Sequence, residues 1–298
     1  MENQRHDAQP VKSDPEYAAS SGCPGADGPS IAGPPAGPSY NSPVGNWDRE
    51  LELAVRASRA AAELALRYQQ GIQAETKADL SPVTIADREC ELLLSRSFLE
   101  AFPEDGLLGE EGALVESRSG RRWIIDPIDG TRDYLRGNPL WANLIGLEVG
   151  GEIVAGVVNL PGLGSLYSAS KHGGAYRNGS AMHASSKVAA ADSVICVNGL
   201  NKLAHTPFRH RILDWMEPFW AVRSLGGAPD AMLIASGQAE VWIEPVAAAW
   251  DLAPLKIIIE EAGGRFLNFD GRSSIYGGNC VACAPGLEAA VKSFLGLI

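Results

Sequence analysis

The chain has 298 residues, 45% hydrophobic and 20% charged, which is enough apolar material for one large folded unit or two lobes and too much for a chain disordered throughout. Its net charge of -11 argues against a nucleic-acid polymer or an anionic membrane as partner. No apolar run approaches the roughly 18 residues of a membrane span, and the start lacks the basic-then-apolar layout of a secretory signal, so a cytoplasmic protein is expected. Cys23, Cys90, Cys196, Cys280 and Cys283 are scattered and odd in number, which fits reduced thiols. Cys280 and Cys283 have the spacing of half a zinc site, but no second pair accompanies them, and they read as packed strand residues.

Residues 1–46 are rich in Pro, Gly, Ser and Ala with almost no large aliphatics, and read as a disordered tail. From Trp47 onward, Leu53, Ala57, Ala60, Ala61, Leu64 and Tyr68 recur at three- and four-residue steps and predict an amphipathic helix ended by Gly71. A second helix follows residues 77–87 through Leu92, Leu93, Leu99 and Phe102, and Pro103 closes it. Thr84 and Asp87 have the spacing of a capping box at its start, with Asp in place of Glu. Glu110 and Glu111 then stand between Gly109 and Gly112, a pattern of solvated turns and of metal sites alike.

Trp123, Ile124 and Ile125 predict a buried strand that stops at Asp126 and leads through Pro127, Ile128, Asp129 and Gly130 to Thr131. Pro127 fixes its own φ and pushes Asp126 to an extended conformation, while Gly130 permits a tight turn, so both aspartates can be aimed at one point. Two carboxylates about 5 Å apart repel by roughly 3 kcal/mol at an effective dielectric near 20, so their convergence predicts a cation between them. Oxygen-only ligands favour a hard ion such as Mg²⁺ over Zn²⁺. A surface turn is the other reading of the same Asp, Pro and Gly.

Beyond Thr131 the pattern predicts a short helical turn to Gly137, strands over 142–149 and 153–160 joined by Gly150 and Gly151, and one or two short strands within 162–176, with antiparallel pairing dominant. A strand at 194–197, helices at 205–216 and 231–236, a strand at 240–244, an apolar helix from Trp250 to Gly263 and a terminal helix at 289–295 follow. Asp251 reads as a helix N-cap, where the positive end of the helix keeps a carboxylate ionised, as a metal ligand must be. His6, His172, His183, His205 and His210 fall outside the acid motifs and receive no catalytic role.

Four separated stretches, residues 77–87, Gly109-Glu110-Glu111, Asp126 to Thr131, and Trp250-Asp251, together resemble the inositol monophosphatase family of Mg²⁺-dependent, lithium-sensitive phosphatases, from about residue 48 to the C-terminus. Within it the resemblance is closest to the histidinol-phosphatase branch. Ser81-Pro82-Val83-Thr84, Arg136-Gly137-Asn138-Pro139-Leu140-Trp141-Ala142, Glu244-Pro245 and residues 261–266 carry that similarity. Two departures stand out: Gly112 follows Glu111 where that branch usually inserts Phe, and Asp133 replaces a usual Asn beside the catalytic turn.

The resemblance implies an α/β fold, a layered αβαβα sandwich of the inositol monophosphatase and fructose-1,6-bisphosphatase type. An α+β lobe at 47–185 carries most metal ligands, and an α/β lobe at 186–298 carries Asp251 and the substrate-facing residues. By the same resemblance, two to three Mg²⁺ ions serve each site: Glu110, Asp126 and the Ile128 carbonyl hold one, Asp126, Asp129 and Asp251 a second, and Glu110 with Glu111 a further, weaker one. Asp87 and Thr131 form the pair that takes a proton from the attacking water, and Glu111 belongs with them in the catalytic set. Asp129, Gly130 and Thr131 receive the phosphate, while Arg223, Gly226, Gly227, Ala228 and Glu244 match substrate-facing positions. Arg223 reads equally as a surface ion pair.

The implied reaction is hydrolysis of a small phosphorylated metabolite by a homodimer, first histidinol phosphate to histidinol and phosphate in histidine biosynthesis. Inositol 1-monophosphate and a 3′(2′),5′-bisphosphate nucleotide are the alternative substrates. A catalytically inactive metal- or ligand-binding relative is the alternative of a different class, and the complete acid set with Thr131 argues against it.

Overall fold

Two alternations of apolar residues fix the layering of this chain, whose computed structural model describes residues 47–77 and 82–298. The expected tail and residues 78–81 lie outside the described residues. The first half contains helices α1 (Asp48–Tyr68) and α2 (Ile85–Ala101), with strands β1 (Ala74–Thr76) and β2 (Pro82–Thr84) paired as a ribbon between them. Strands β3 (Gly106–Gly109), β4 (Leu114–Val115) and β5 (Arg121–Asp129), the short helix α3 (Thr131–Leu135), and strands β6 (Ala142–Val149), β7 (Glu152–Leu160), β8 (Ser165–Ser170), β9 (Gly174–Arg177) and β10 (Ser180–Ala181) follow. Then come β11 (Val194–Val197), α4 (Ile212–Met216), β12 (Ala221–Arg223), α5 (Gly227–Ala235), β13 (Val241–Glu244), α6 (Ala249–Glu261), β14 (Arg265–Leu267), β15 (Cys280–Cys283) and α7 (Glu288–Leu295).

One sheet of eight strands runs β10-β9-β8-β7-β6-β5-β3-β4, antiparallel throughout except where β3 lies parallel to β5. A second sheet of five strands runs β12-β11-β13-β15-β14, with β11 parallel to both β12 and β13. Along β5, Trp123 and Ile125 pack with α1 and α2, whereas Ile124 faces the opposite core with α5 and α6. Along β13 the same period of two sends Trp242 to α5 and α6, and Val241 and Ile243 to α4 and α7. Five layers result: α1 and α2, the large sheet, α5 and α6, the small sheet, α4 and α7. This is the αβαβα sandwich expected from the sequence.

In α1 the buried stripe runs through Leu51, Ala54, Val55, Ser58, Ala61, Ala62 and Ala65, and Ala60, expected on it, faces solvent one step round the helix. Trp123 stacks on Phe98 of α2 at 4.1 Å, and its indole Nε1 donates to Asp105 Oδ2 at 3.1 Å, so the most buried aromatic of the strand is also polar-satisfied. The helix expected over 205–216 is split: a 3₁₀ turn covers Leu200–His205, and α4 begins only at Ile212. Pro207 is the cause, since it holds Thr206 extended at φ -85 and ψ 153. Among the described residues no helix is long and apolar enough to cross a membrane.

The close fit of α6 on the large sheet depends on two glycines. Gly146 of β6 and Gly156 of β7 are directly paired, and they form a trough for Ala253, Pro254 and Ile257. A Cβ on Gly146 would stand 2.7 Å from that of Ala253; one on Gly156 would stand 2.5 Å from Ile257 Cγ2 and 2.9 Å from Pro254 Cα. Because the Pro254 backbone cannot step aside without moving α6, Gly156→Ala should destabilise the fold by about 1–3 kcal/mol, as overpacking does. Urea unfolding checks this, and an unchanged midpoint would show that the helix has room to retreat.

Candidate active site

The acids at the end of β5 converge because the strand carries one extra residue. Asp126 pairs with Leu144 and Asp129 with Ala142, so three steps on β5 match two on β6. In a regular strand residues three apart point to opposite faces; this bulge turns both carboxylates to the face that packs on α6. Pro127 costs no ladder bond inside the irregularity, and its carbonyl accepts the Asn143 amide at 2.5 Å. Asp126 Oδ1 accepts the Ile128 N–H at 2.9 Å, which locks the turn. Gly130, at φ 85, then carries the chain into α3.

Asp251 arrives from α6. It is the third residue of the helix and not its N-cap, a correction to the sequence reading: its carboxylate reaches back to the Ala248 N–H at 2.7 Å, satisfying a free donor of the first turn from inside the helix. Asp126, Asp129 and Asp251 each offer an oxygen, and these three atoms all lie within 4.8 Å of one another. Together with Glu110, Ile128, Gly130, Thr131, Asn198, Gly226 and Gly227 they line a cavity of about 340 Å³.

Of the other residues singled out, Asp87 is buried in α2. It completes the capping box with the Thr84 N–H at 2.7 Å and hydroxyl at 2.6 Å, and its Oδ1 accepts the Thr131 hydroxyl at a long 3.5 Å. That hydroxyl also reaches the Ile128 carbonyl at 3.3 Å. Glu111 lies beside Glu110 and takes the Lys77 ammonium at 2.6 Å, with Glu110 taking it at 2.9 Å. Ala228 donates its N–H to Asp129 Oδ2 at 3.2 Å. Gly227 sits between two acids, since a Cβ there would stand 3.6 Å from Asp129 Oδ2 and 3.7 Å from Glu244 Oε2. Glu244 is buried behind it and accepts the Asn198 amide at 2.6 Å. Arg223 is exposed at the end of β12, donates to the Val222 carbonyl, and does not line the cavity.

Several residues that hold the site were not singled out from the sequence. Glu91 is buried and accepts the N–H groups of Glu111 and Ala113, both at 2.7 Å, so it clamps the loop that presents Glu110. Its signal lay in its position, one turn after Asp87 on the buried face of α2 with Cys90 and Leu94. Asn198 follows a parallel strand, and clefts open outside the carboxyl ends of such strands. Asp230 receives the N–H groups of Leu225 and Gly226 and shapes the loop ahead of α5. Nothing in the local pattern marked Lys77 as the partner of two glutamates.

Burial is the largest cause of raised pKa values throughout the cluster. It lifts Asp126 well above the ordinary range, with Glu110, Asp129 and Asp251 adding repulsion. Burial likewise pushes Asp129 up to about 6 and Asp251 to about 7, the latter helped by the Asp129 charge. Glu111 reaches about 7 and Glu244 about 8, again mainly through burial. Burial works against the Lys77 ammonium, but the bonds it donates to Glu111 and Glu110 outweigh it and raise its pKa. Buried carboxylates that resist ionisation, drawn together with oxygen donors only, fit a hard divalent cation.

Comparison with known proteins agrees. The Histidinol-phosphatase of Chlorobaculum parvum is 39% identical over 237 residues, covering 79% of this chain and 92% of that one. The Inositol-1-monophosphatase of Mesorhizobium japonicum is 35% identical over 233 residues, 75% and 88% of the two chains. The crystal structure of the extragenic suppressor protein suhB from Bartonella henselae superimposes with a TM-score of 0.76 at 28% identity, covering 83% of this chain and 98% of that one. The chain is a phosphoric monoester hydrolase. The family model for the inositol monophosphatase family matches residues 46–294, and the chain belongs to that metal-dependent family.

The raised carboxylates give a pH test. Without metal the folded state keeps protons that the unfolded chain has released above its ordinary aspartate and glutamate values of 3.8 and 4.5. Stability of the chelated protein should therefore fall as pH rises from about 4 to about 8. Thermal melts with chelator should show that decline and melts with a divalent cation should flatten it; parallel curves would mean that the cluster takes no ion.

Proposed function

We propose that the enzyme is a Mg²⁺-dependent phosphatase of histidinol phosphate, releasing histidinol and phosphate. The observation that carries this is the convergence of Asp126, Asp129 and Asp251 beside Gly130 and Thr131 at the bulged end of β5. Glu110, Asp126 and the Ile128 carbonyl would hold one ion, Asp126, Asp129 and Asp251 a second, and Glu110 with Glu111 a further one, two to three per site. Mg²⁺ held by these residues would supply charge neutralisation for the phosphoryl oxygens, a more acidic water and stabilisation of the leaving alkoxide.

The chain's own groups do the rest. Thr131 orients the attacking water and passes its proton towards Asp87, whose pKa is raised by burial and which is therefore a stronger base than an ordinary carboxylate. Glu111 joins this catalytic set beside the same water. Asp129 and the backbone of Gly130 and Thr131 border the phosphate. Gly226, Gly227 and Ala228 leave space for the alcohol, Glu244 offers a carboxylate to an ammonium or imidazolium, and Arg223, outside the cavity lining, would have to swing in to touch the substrate. A lobe at 47–185 would carry most of the metal ligands, and one at 186–298 would carry Asp251 and the substrate-facing residues. The 39% identical histidinol-phosphatase supports this substrate, and the 35% identical inositol-1-monophosphatase makes inositol 1-phosphate the second reading. The same reading makes the enzyme a cytoplasmic homodimer, and the free buried thiols of Cys90, Cys196, Cys280 and Cys283 suit a reducing compartment.

Phosphate release from histidinol phosphate, inositol 1-phosphate and an adenosine bisphosphate tests the substrate, compared as kcat/KM. Histidinol phosphate should lead; a lead for either of the others would replace it. Asp126→Asn should lower Mg²⁺-dependent turnover by at least about 100-fold, since loss of a bridging ligand exceeds the loss of an outer partner. Its circular dichroism should stay unchanged, and persistent turnover would remove Asp126 from the centre.

A further inference from the structure

The cavity is lined by five acids, Glu110, Asp126, Asp129, Asp133 and Asp251, and by one basic side chain, Arg132. Four of the acids belong to the proposed ion sites. Asp133 does not, and it lines the same cavity from α3. No salt bridge engages it among the described residues. It is nonetheless held firmly: the Asn138 amide donates to its Oδ1 at 2.6 Å, and the Asn138 N–H donates to its carbonyl at 2.9 Å. The neighbouring Arg132 is adjacent in the helix, where successive side chains do not face each other. Its charge is felt in the site, because Asp133 is among the groups that raise Asp129.

We propose that Asp133 is a specificity-determining residue that selects phosphate monoesters whose alcohol carries an ammonium or other cation. A fixed, half-buried carboxylate with no basic partner in the wall of an acid-lined cavity favours a positive charge on the incoming molecule. A neutral polyol gains only an ordinary hydrogen bond there, whereas a cation gains a charge-assisted one. The proposal rests on the phosphatase reading and deepens it, since histidinol phosphate carries such cations and inositol phosphate does not.

Asp133→Asn isolates the charge, because asparagine keeps an oxygen for the Asn138 amide. The measurement is kcat/KM for a matched pair, 4-aminobutyl phosphate and butyl phosphate, in the Mg²⁺-loaded wild type and variant, with histidinol phosphate and inositol 1-phosphate run alongside. The wild type should prefer the aminated member of the matched pair, and the variant should lower that preference about 10-fold, the lower end expected for a hydrogen bond to a charged group. Added salt should erode the preference in the wild type more than in the variant. A preference ratio unaltered by the substitution, or no wild-type preference, would overturn the role of Asp133. Failure of histidinol phosphate alone, with the matched pair behaving as stated, would overturn only the proposed substrate. A change in ion binding would scale both members of the pair alike and leave their ratio untouched.

Discussion

Like charges do not share a buried site without a counter-charge, and the organisation of this enzyme follows from that constraint. Asp126, Asp129 and Asp251 lie within 4.8 Å of one another, where each pair repels by roughly 3–4 kcal/mol at an effective dielectric near 20. None of the three is free to swing away. Each accepts a backbone N–H, from Ile128, Ala228 and Ala248 respectively, and rotation would break a bond to a charged acceptor. The repulsion is held in place by the backbone, and the metal dependence of the family is its relief.

Two geometric devices bring these tethered groups together. The extra residue in β5 turns Asp129 to the same face as Asp126, and the glycine trough on β6 and β7 lets α6 lie close enough for Asp251 to reach them. A third support comes from α2, whose Asp87 and Glu91 point into the layer between helix and sheet. Glu91 approaches Gly109 so closely that a Cβ there would stand 2.3 Å from its Oε2, so the glycine before Glu110 is a packing requirement. The geometry of the acid cluster and the packing of the core are served here by the same side chains.

Much of this was legible in the amino-acid order. The acid motifs lie at strand and helix ends, and the apolar run Trp123-Ile124-Ile125 marked a buried strand, which the structure shows to be covered on both faces. The cation expected between Asp126 and Asp129 was inferred from their mutual repulsion, beside the surface turn as the other reading of that stretch. What pattern could not supply was contact between distant segments. Glu91 and Lys77 serve Glu110 and Glu111 across some 20 to 34 positions of chain, and no local rule links them. Helix starts were also displaced: Asp251 looked like a cap because Asp before an apolar run usually is one, but the helix begins two residues earlier at Ala249. Around Thr206 a proline outweighed apolar spacing.

The order in which the ribosome makes these pieces matters too. Asp126 and Asp129 leave the tunnel long before α6, yet their pocket has no third wall until that helix settles into the groove left by Gly146 and Gly156. The three acids therefore share one site only once α6, made much later in the chain than β5, has packed over the large sheet.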